Sequence, residues 1–193
     1  MLFIFDMGGV VVHTPDNEQP VMRVLNITRE QLHEYSIDEK GRNLFSLLSD
    51  GKVTSAEYWK NFSKKYGKEI TADYWRLLLR PERDEKTYTL IRDLKKKNRV
   101  ICGTNTIQSH YDTHICRGDY AVFDDVYASQ IMGVSKPDPN FWQIILNCEN
   151  VQPKDAFFTD DREENCEAAA KLGINVQHFT TPDALRSAVA KWL

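Results

Sequence analysis

Four short polar segments in this 193-residue chain each follow an apolar run or lie in the loop beyond one. A carboxylate can serve as a nucleophile or a metal ligand, a hydroxyl or amide can bind phosphoryl oxygens, and an ammonium can offset an anion. The segments are Asp6 after residues 2–5, Thr104-Asn105 after 100–103, Lys136 within 133–139, and Asp160-Asp161 after 156–159. Together they could perform chemistry on a phosphate group.

Asp6 is followed by Met7-Gly8-Gly9-Val10. Glycines let the backbone turn sharply and bring its N–H groups close to an anion. An aspartate that ends a strand before a glycine turn is also common loop chemistry. Asp6 is therefore a candidate reactive carboxylate and, equally, a candidate turn residue.

Asp160 and Asp161 place two carboxylates side by side, where they repel each other. A divalent cation relieves this repulsion, and Mg²⁺ prefers carboxylates together with water and phosphate oxygens. The alternative is an N-terminal cap for the helix that contains Glu163 and Glu164. On the helical spacing, Asn165 is expected to face the same way as Asp161.

Thr104, Asn105 and Lys136 also have ordinary structural interpretations. A threonine or asparagine at this position can cap the following helix. Most loop lysines are solvated. Two prolines, Pro137 and Pro139, fix the loop of Lys136, which favours a placed cation.

Five short apolar segments predict buried strands that alternate with helices in the second half of the chain. They cover residues 2–5, 100–103, 122–128, 156–159 and 174–179. Helices are predicted over 87–97, after Asp138-Pro139 and after Thr181-Pro182. This alternation predicts an α/β fold, a doubly wound parallel sheet covered on both faces.

Residues 14–85 interrupt this pattern and predict helices only. Capping boxes are predicted at Thr28-x-x-Gln31, Ser36-x-x-Glu39 and Thr54-x-x-Glu57, with a turn at Asp50-Gly51. An insert this long exceeds a loop. It would lie over the carboxyl edge of the strands, where open α/β sheets bind ligands, and could be a lid. The alternative is a subdomain that only completes the core.

Composition narrows the class of protein. The chain has 25 basic and 28 acidic residues, a net charge of −3, which argues against nucleic acid as a partner. The sequence contains no run of 18 apolar residues, so it predicts no membrane span. Four widely spaced cysteines without a C-x-x-C motif predict reduced thiols. We expect a monomeric cytoplasmic protein.

The order of the four segments resembles the haloacid dehalogenase-like hydrolase superfamily. Its four motifs match Phe5-Asp6-x-Gly8-Gly9-Val10, Gly103-Thr104-Asn105, Ser135-Lys136-Pro137 and Asp160-Asp161-x-x-x-Asn165. The resemblance implies a Rossmann-like catalytic core at 1–13 and 86–193. Residues 14–85 would be the family's small helical cap after the first strand, with Asp50-Gly51 in its turn.

The resemblance implies a role for each segment. Asp6 would be the nucleophile that forms an aspartyl-phosphate. Thr104 would hold the phosphoryl oxygens, and Lys136 would offset the charge of nucleophile and phosphate. Asp161 would bind Mg²⁺, with Asp160 as a second ligand or a support.

Further binding atoms follow from the same resemblance. Gly9 and Asn105 would contact the phosphate together with Thr104 and Lys136. The carboxylate of Asp6 and the carbonyl of Gly8 would complete the Mg²⁺ site.

Gly8 departs from most phosphatases of the family, which carry a second aspartate there as general acid and base. Such catalysis is typically worth about 10² to 10⁴ in rate. A leaving group of low pKa, such as that of a sugar 1-phosphate, needs less protonation. Water, His13, His110 or Asp160 could otherwise supply the proton. The chain resembles the family's Asp-x-Gly-x-Val branch, in which sugar-phosphate phosphatases occur.

Three functions compete. The first is a Mg²⁺-dependent phosphatase acting on a small phosphorylated metabolite, for example a sugar phosphate. The second is a phosphate-binding or regulatory protein without catalysis, because of Gly8. The third is a metal-free haloacid dehalogenase with Asp6 as nucleophile, a class that usually carries an aromatic Tyr-Gly-Thr where this chain has Gly8-Gly9-Val10. The substrate contacts of the insert are not readable, although Lys40, Arg42 and Asn43 are conceivable.

Overall fold

The computed structural model describes residues 1–13 and 16–193. Five strands form a parallel sheet in the order β5-β4-β1-β6-β7, and two short strands, β2 and β3, pair antiparallel. The strands are β1 (Leu2–Phe5), β2 (Val12–His13), β3 (Glu82–Arg83), β4 (Arg99–Thr104), β5 (Val126–Ala128), β6 (Ala156–Asp160) and β7 (Asn175–His178).

Helices cover both faces of the sheet and fill the insert. They are α1 (Glu18–Leu25), α2 (Arg29–Tyr35), α3 (Leu44–Ser49), α4 (Ser55–Tyr66), α5 (Tyr74–Leu77), α6 (Glu85–Lys95), α7 (Gln108–Arg117), α8 (Ser129–Met132), α9 (Pro139–Glu149), α10 (Glu163–Lys171) and α11 (Pro182–Ala188). Short 3-10 helices cover Asp119–Val122, Pro153–Asp155 and Ala190–Trp192. Among the described residues, none of these helices combines the length and the apolar character that crossing a bilayer requires.

The central strand β1 shows why the sheet is covered on both faces. Its side chains alternate, so that Phe3 and Phe5 pack on one face while Leu2 and Ile4 pack on the other. Helices α6 and α11 cover the first face, and α9 and α10 cover the second. All four β1 residues are buried, as expected for a strand inside a parallel sheet. The predicted doubly wound α/β fold is confirmed.

All five predicted strands are present, the first with the predicted bounds and the others with shifted ends. The segment predicted over 122–128 is a strand only at Val126–Ala128, because Val122 ends a 3-10 helix that turns the chain toward the sheet. The strand predicted over 174–179 is limited to Asn175–His178. Asp138 and Thr181 cap α9 and α11 as predicted.

The helical insert, defined here as α1 to α5, has an apolar cluster of its own. It includes Tyr58, Trp59, Phe62 and Trp75, and Ile107 of the core packs into it. The core's α7 therefore contributes to the packing of the insert. The predicted boundary at residue 14 lies outside the described residues.

Two of the three predicted capping boxes form, those of Thr28 and Thr54. The box at Ser36 is wrong, because Ser36 ends α2 and its hydroxyl instead contacts Leu32 and Tyr58. The expectation of helices only in this region is also wrong. Strand β3 pairs with β2, so the chain enters and leaves the insert through a short two-stranded ribbon.

Candidate active site

The four polar segments meet at the carboxyl edge of the sheet. Asp6 directly follows β1, Thr104 ends β4, and Asp160 ends β6. Lys136 lies in the loop between α8 and α9. Because parallel strands end at the same edge, residues far apart in sequence come together there.

Lys136 is the centre of the arrangement. Its ammonium Nζ donates to Asp6 Oδ1 at 2.7 Å, to Asp160 Oδ2 at 2.7 Å and to the Gly103 carbonyl at 2.8 Å. The side chain of Lys136 is only 1% exposed. A buried cation requires such partners, so this lysine is fixed against two carboxylates rather than solvated.

Asp160 is fully buried and its carboxylate is extensively hydrogen-bonded. Oδ1 accepts from the backbone N–H of Arg162 at 2.9 Å, and Asn165 Nδ2 donates to both oxygens at 3.0 Å. With Lys136 on Oδ2, four donor contacts surround this group. Asn165, in the first turn of α10, therefore contacts Asp160.

The carboxylates of this site share one cation. Burial raises the pKa of Asp6 to about 7, since it outweighs the attraction of Lys136. Burial and the neighbouring Asp160 raise the pKa of Asp161. Burial disfavours the charge of Lys136, but the carboxylates of Asp6 and Asp160 outweigh it and raise its pKa. The site thus favours additional positive charge.

Asp6, Asp160 and Asp161 each offer an oxygen within 4.8 Å of the others. With all three ionised and Lys136 charged, the four side chains carry a net charge of −2. Gly9 permits this arrangement, because a Cβ at its φ of +77° would lie 2.3 Å from Asp161 Oδ2. An oxygen donor set with this charge fits Mg²⁺.

The other predicted phosphate contacts are partly engaged within the protein. Asn105 donates Nδ2 to the Lys136 carbonyl at 2.8 Å and accepts from the Lys136 N–H at 2.8 Å. The Gly9 N–H donates to the Val12 carbonyl at 2.8 Å. Thr104 is 3% exposed at the end of its strand. Asn105 therefore fixes the backbone that carries Lys136.

A cleft of about 670 Å³ separates the helical insert from the core and reaches Lys136 and Asn105. Its walls combine hydroxyl, amide and charged groups with few apolar side chains. The insert contributes Asn17, Phe45, Ser46, Ser49, Asp50 and Lys52, and the core contributes Asn105, Thr106, Ile107, His110, Gly133, Val134, Ser135, Lys136, Pro137, Asp138 and Arg162.

The turn of the insert docks directly on the core. Ser135 Oγ donates to Asp50 Oδ1 at 2.6 Å, and the hydroxyls of Ser49 and Ser135 lie 3.1 Å apart. Gly51 has a φ of +65°, and a Cβ there would lie 2.0 Å from the Gln130 carbonyl oxygen. The sequence predicted the turn at Asp50-Gly51, but it did not predict that Ser135 and Gln130 would contact this turn.

The conceivable insert contacts Lys40, Arg42 and Asn43 are not among the cleft residues. Arg42 pairs with Asp38 at 2.7 Å, and Asn43 caps α3. These residues precede α3, whereas Phe45, Ser46 and Ser49 within α3 line the cleft.

The three candidate proton donors are placed differently. His13 is exposed and its Nε2 lies 3.1 Å from an oxygen of Asp84. His110 is partly buried beside the ring of Trp75 and lines the cleft, and desolvation lowers its pKa to about 4. Asp160 is held by the contacts described above.

A sequence profile of haloacid dehalogenase-like hydrolases matches residues 1–173. The chain belongs to the haloacid dehalogenase-like hydrolases. The match spans the strands that carry all four polar segments and also the helical insert, which confirms the family resemblance of the motifs.

Two relatives of this hydrolase are phosphatases by name. It is 27% identical to a sesquiterpene phosphatase of Aspergillus oryzae, over 92% of this chain and 88% of that protein. It is 23% identical to a D-ribitol-5-phosphate phosphatase of Bacteroides thetaiotaomicron, over 89% and 87%. The chain spans only 18% of the mouse acyl-CoA dehydrogenase family member 10, to which it is 25% identical over 93% of its own length.

The fold of this hydrolase matches a solved family enzyme of Bacteroides thetaiotaomicron in complex with magnesium and inorganic phosphate. The TM-score is 0.76 at 23% identity, over 93% of both chains. A family hydrolase of Porphyromonas gingivalis matches with a TM-score of 0.81 at 24% identity, over 98% of this chain and 96% of that one. These similarities establish the fold.

Proposed function

We propose that this hydrolase is a Mg²⁺-dependent phosphatase that acts on a small phosphomonoester through an aspartyl-phosphate on Asp6. The observation that carries the proposal is the Lys136 ammonium, which contacts both Asp6 and Asp160 at 2.7 Å beside the Asp161 carboxylate. A buried carboxylate held by a cation is a usable nucleophile toward phosphorus, because the cation offsets the repulsion between two anions.

The residues present fit a divalent cation. We assign Asp6 and Asp161 as its side-chain ligands, with the Gly8 carbonyl as a backbone ligand. Asp160 acts as a support, because its oxygens already accept from Lys136, Asn165 and the Arg162 N–H. A bound Mg²⁺ would supply positive charge that stabilises the transferring phosphoryl group.

Each remaining group has one task in this proposal. Asp6 attacks phosphorus, and Lys136 favours the ionised form of Asp6 and offsets part of the charge of the substrate dianion. Thr104 and backbone N–H groups hold the phosphoryl oxygens. Asn105 positions Lys136 through its two backbone contacts.

The cleft supports a small polar substrate. Its volume of about 670 Å³ and its hydroxyl and amide walls suit a small polyhydroxylated compound, such as a sugar phosphate. The relative named a D-ribitol-5-phosphate phosphatase supports this class. We propose that residues 14–85 form a cap that excludes bulk water and macromolecular substrates.

The acidic cluster disfavours the metal-free dehalogenase alternative, since three carboxylates around a single ammonium call for more positive charge. The non-catalytic alternative rests on Gly8, and a measurement of phosphatase activity distinguishes it from the proposal.

A panel of phosphomonoesters, assayed with and without Mg²⁺, tests the proposal on wild type and Asp6→Asn. Asp183→Asn, an exposed aspartate paired with Lys86, is the matched control.

We expect turnover that requires Mg²⁺ and is abolished by Asp6→Asn but retained by Asp183→Asn. Folded protein that binds Mg²⁺ and phosphate but turns over no ester would instead support the non-catalytic function.

A further inference from the structure

Gly8 leaves a gap beside the proposed nucleophile. It lies two residues after Asp6, and a Cβ built at Gly8 would meet no atom within 4 Å. Its φ lies outside the left-handed region, so an ordinary L residue is compatible with the backbone. The space for a side chain exists, yet Gly8 itself places no titratable group there.

The described residues nearby do not replace such a group. His13 is exposed and pairs with Asp84, and burial lowers the pKa of His110 to about 4, which favours its neutral imidazole over the acidic imidazolium at pH 7. Both carboxylate oxygens of Asp160 accept hydrogen bonds, from Lys136, Asn165 and the Arg162 N–H.

Both carboxylates that line the cleft already accept hydrogen bonds within the protein. Asp50 accepts from Lys52 at 2.8 Å and from Ser135 at 2.6 Å, and Asp138 caps α9. These carboxylates act as acceptors, and they are held by donors from the insert, from the α8–α9 loop and from α9. The described cleft residues thus include no carboxylic acid free to protonate a leaving oxygen.

We propose that this enzyme cleaves phosphates without a side-chain general acid and therefore selects substrates whose leaving oxygen departs as an anion. The substrate class is a phosphate on an acidic oxygen, such as an anomeric sugar phosphate, an enol phosphate or an acyl phosphate. This inference rests on the proposed phosphatase function and adds its leaving-group specificity.

The two steps balance without a protein proton. In the first, Asp6 Oδ forms a bond to phosphorus while the bond from phosphorus to the leaving oxygen breaks, and that oxygen keeps the electron pair. In the second, water attacks phosphorus, the bond to Asp6 breaks, and the proton of the water passes to solvent. Because Gly8 offers no side chain to accept that proton, we expect the second step to be slow and the aspartyl-phosphate to accumulate.

A series of aryl phosphates ordered by the acidity of the released phenol tests the inference, together with one alkyl phosphate. The quantity compared is kcat/KM, which includes leaving-group departure and excludes hydrolysis of the aspartyl-phosphate. The variants are wild type, Gly8→Asp, and Gly8→Asn as an isosteric control that carries no transferable proton. Thermal unfolding shows that each variant is folded.

We expect the wild-type kcat/KM to fall steeply from dinitrophenyl to phenyl phosphate and further for the alkyl phosphate. Gly8→Asp should flatten this dependence and raise alkyl phosphate turnover by about 10² or more, the usual value of general acid catalysis. Gly8→Asn should keep the wild-type slope. In rapid mixing, wild type should release about one phenol per enzyme in a burst, and acid quench should trap the phosphoenzyme.

A wild-type slope as shallow as that of Gly8→Asp, without a burst, would overturn the inference while leaving the phosphatase function intact. Failure to turn over even dinitrophenyl phosphate, with no trapped phosphoenzyme, would overturn the proposed function itself.

Discussion

Lys136 Nζ donates to Asp6 Oδ1 at 2.7 Å, although 130 residues separate the two along the chain. The contact joins the end of the central strand β1 to the loop between α8 and α9. It pairs a carboxylate and an ammonium that are both buried, so each depends on the other for its charge.

Replacing Lys136 with methionine should destabilise the protein and abolish turnover. Removal of one partner from a buried ion pair typically costs about 3 to 5 kcal/mol, because the other charge stays buried. Urea unfolding at pH 7.5 measures the free energy of unfolding. The double variant Lys136→Met/Asp6→Asn should recover part of that loss and remain inactive. A double variant no more stable than Lys136→Met would contradict this coupling.

Replacing Asn165 with leucine should lower kcat and weaken Mg²⁺ activation. The substitution removes two 3.0 Å hydrogen bonds to Asp160 and leaves its oxygens free to reorient away from Lys136. We expect a loss of at least about tenfold in kcat/KM, the order of effect typical of groups that orient a metal site. Glu164→Gln, at an exposed neighbour on the same helix, is the control, and equal effects of both variants would refute the assignment.

Replacing Gly9 with alanine should eliminate Mg²⁺-dependent activity, because its Cβ would lie 2.3 Å from Asp161 Oδ2. Gly67→Ala is a matched control, since Gly67 has a φ of +79° and open space around it. Both variants carry the left-handed strain of roughly 1 to 2 kcal/mol. Mg²⁺ titration by calorimetry should show weakened Mg²⁺ binding for Gly9→Ala but not for Gly67→Ala. Unchanged Mg²⁺ binding by Gly9→Ala would contradict the prediction.

Replacing Gly51 with alanine should raise KM more than it lowers kcat. A Cβ at Gly51 would lie 2.0 Å from the Gln130 carbonyl and prevent the insert turn from docking beside Ser135. Gly41→Ala, also in the insert at a φ of +76° but in open space, controls for backbone strain. Steady-state kinetics of the two variants should differ, and matched KM values would show that docking of the turn does not affect substrate binding.

The stability of the protein should fall as the pH is lowered from 6.5 toward 4, partly because of His110. Burial lowers its pKa in the folded state to about 4, so the unfolded chain takes up a proton first and is favoured. Near pH 4, protonation of His110 in the unfolded chain lowers the free energy of unfolding by roughly 3 kcal/mol, since each pKa unit corresponds to about 1.4 kcal/mol. Thermal unfolding of His110→Gln should show a flatter pH dependence in this window than wild type or the exposed control His33→Gln. Parallel curves would exclude this role.

The sequence predicted strands and helix caps correctly where the pattern that specifies them lies within a few neighbouring residues. The apolar run Leu2–Phe5 formed the central strand, and Thr28 and Thr54 formed their capping boxes. Ser36 carried the same local pattern and ended a helix, because its hydroxyl found Tyr58 across the insert. The strand Glu82–Arg83 was missed for a related reason, since it exists only through its pairing with Val12–His13.

The sequence by itself determined the family, the parallel sheet and the four polar segments at its carboxyl edge, because strand periodicity and motif order are properties of the chain. Only the tertiary structure decided what each polar group touches. It placed Asn165 against the Asp160 carboxylate and Asn105 against the Lys136 backbone. The contact between Asn105 and Lys136 joins residues 31 positions apart, and its geometry depends on how the strands and loops pack together.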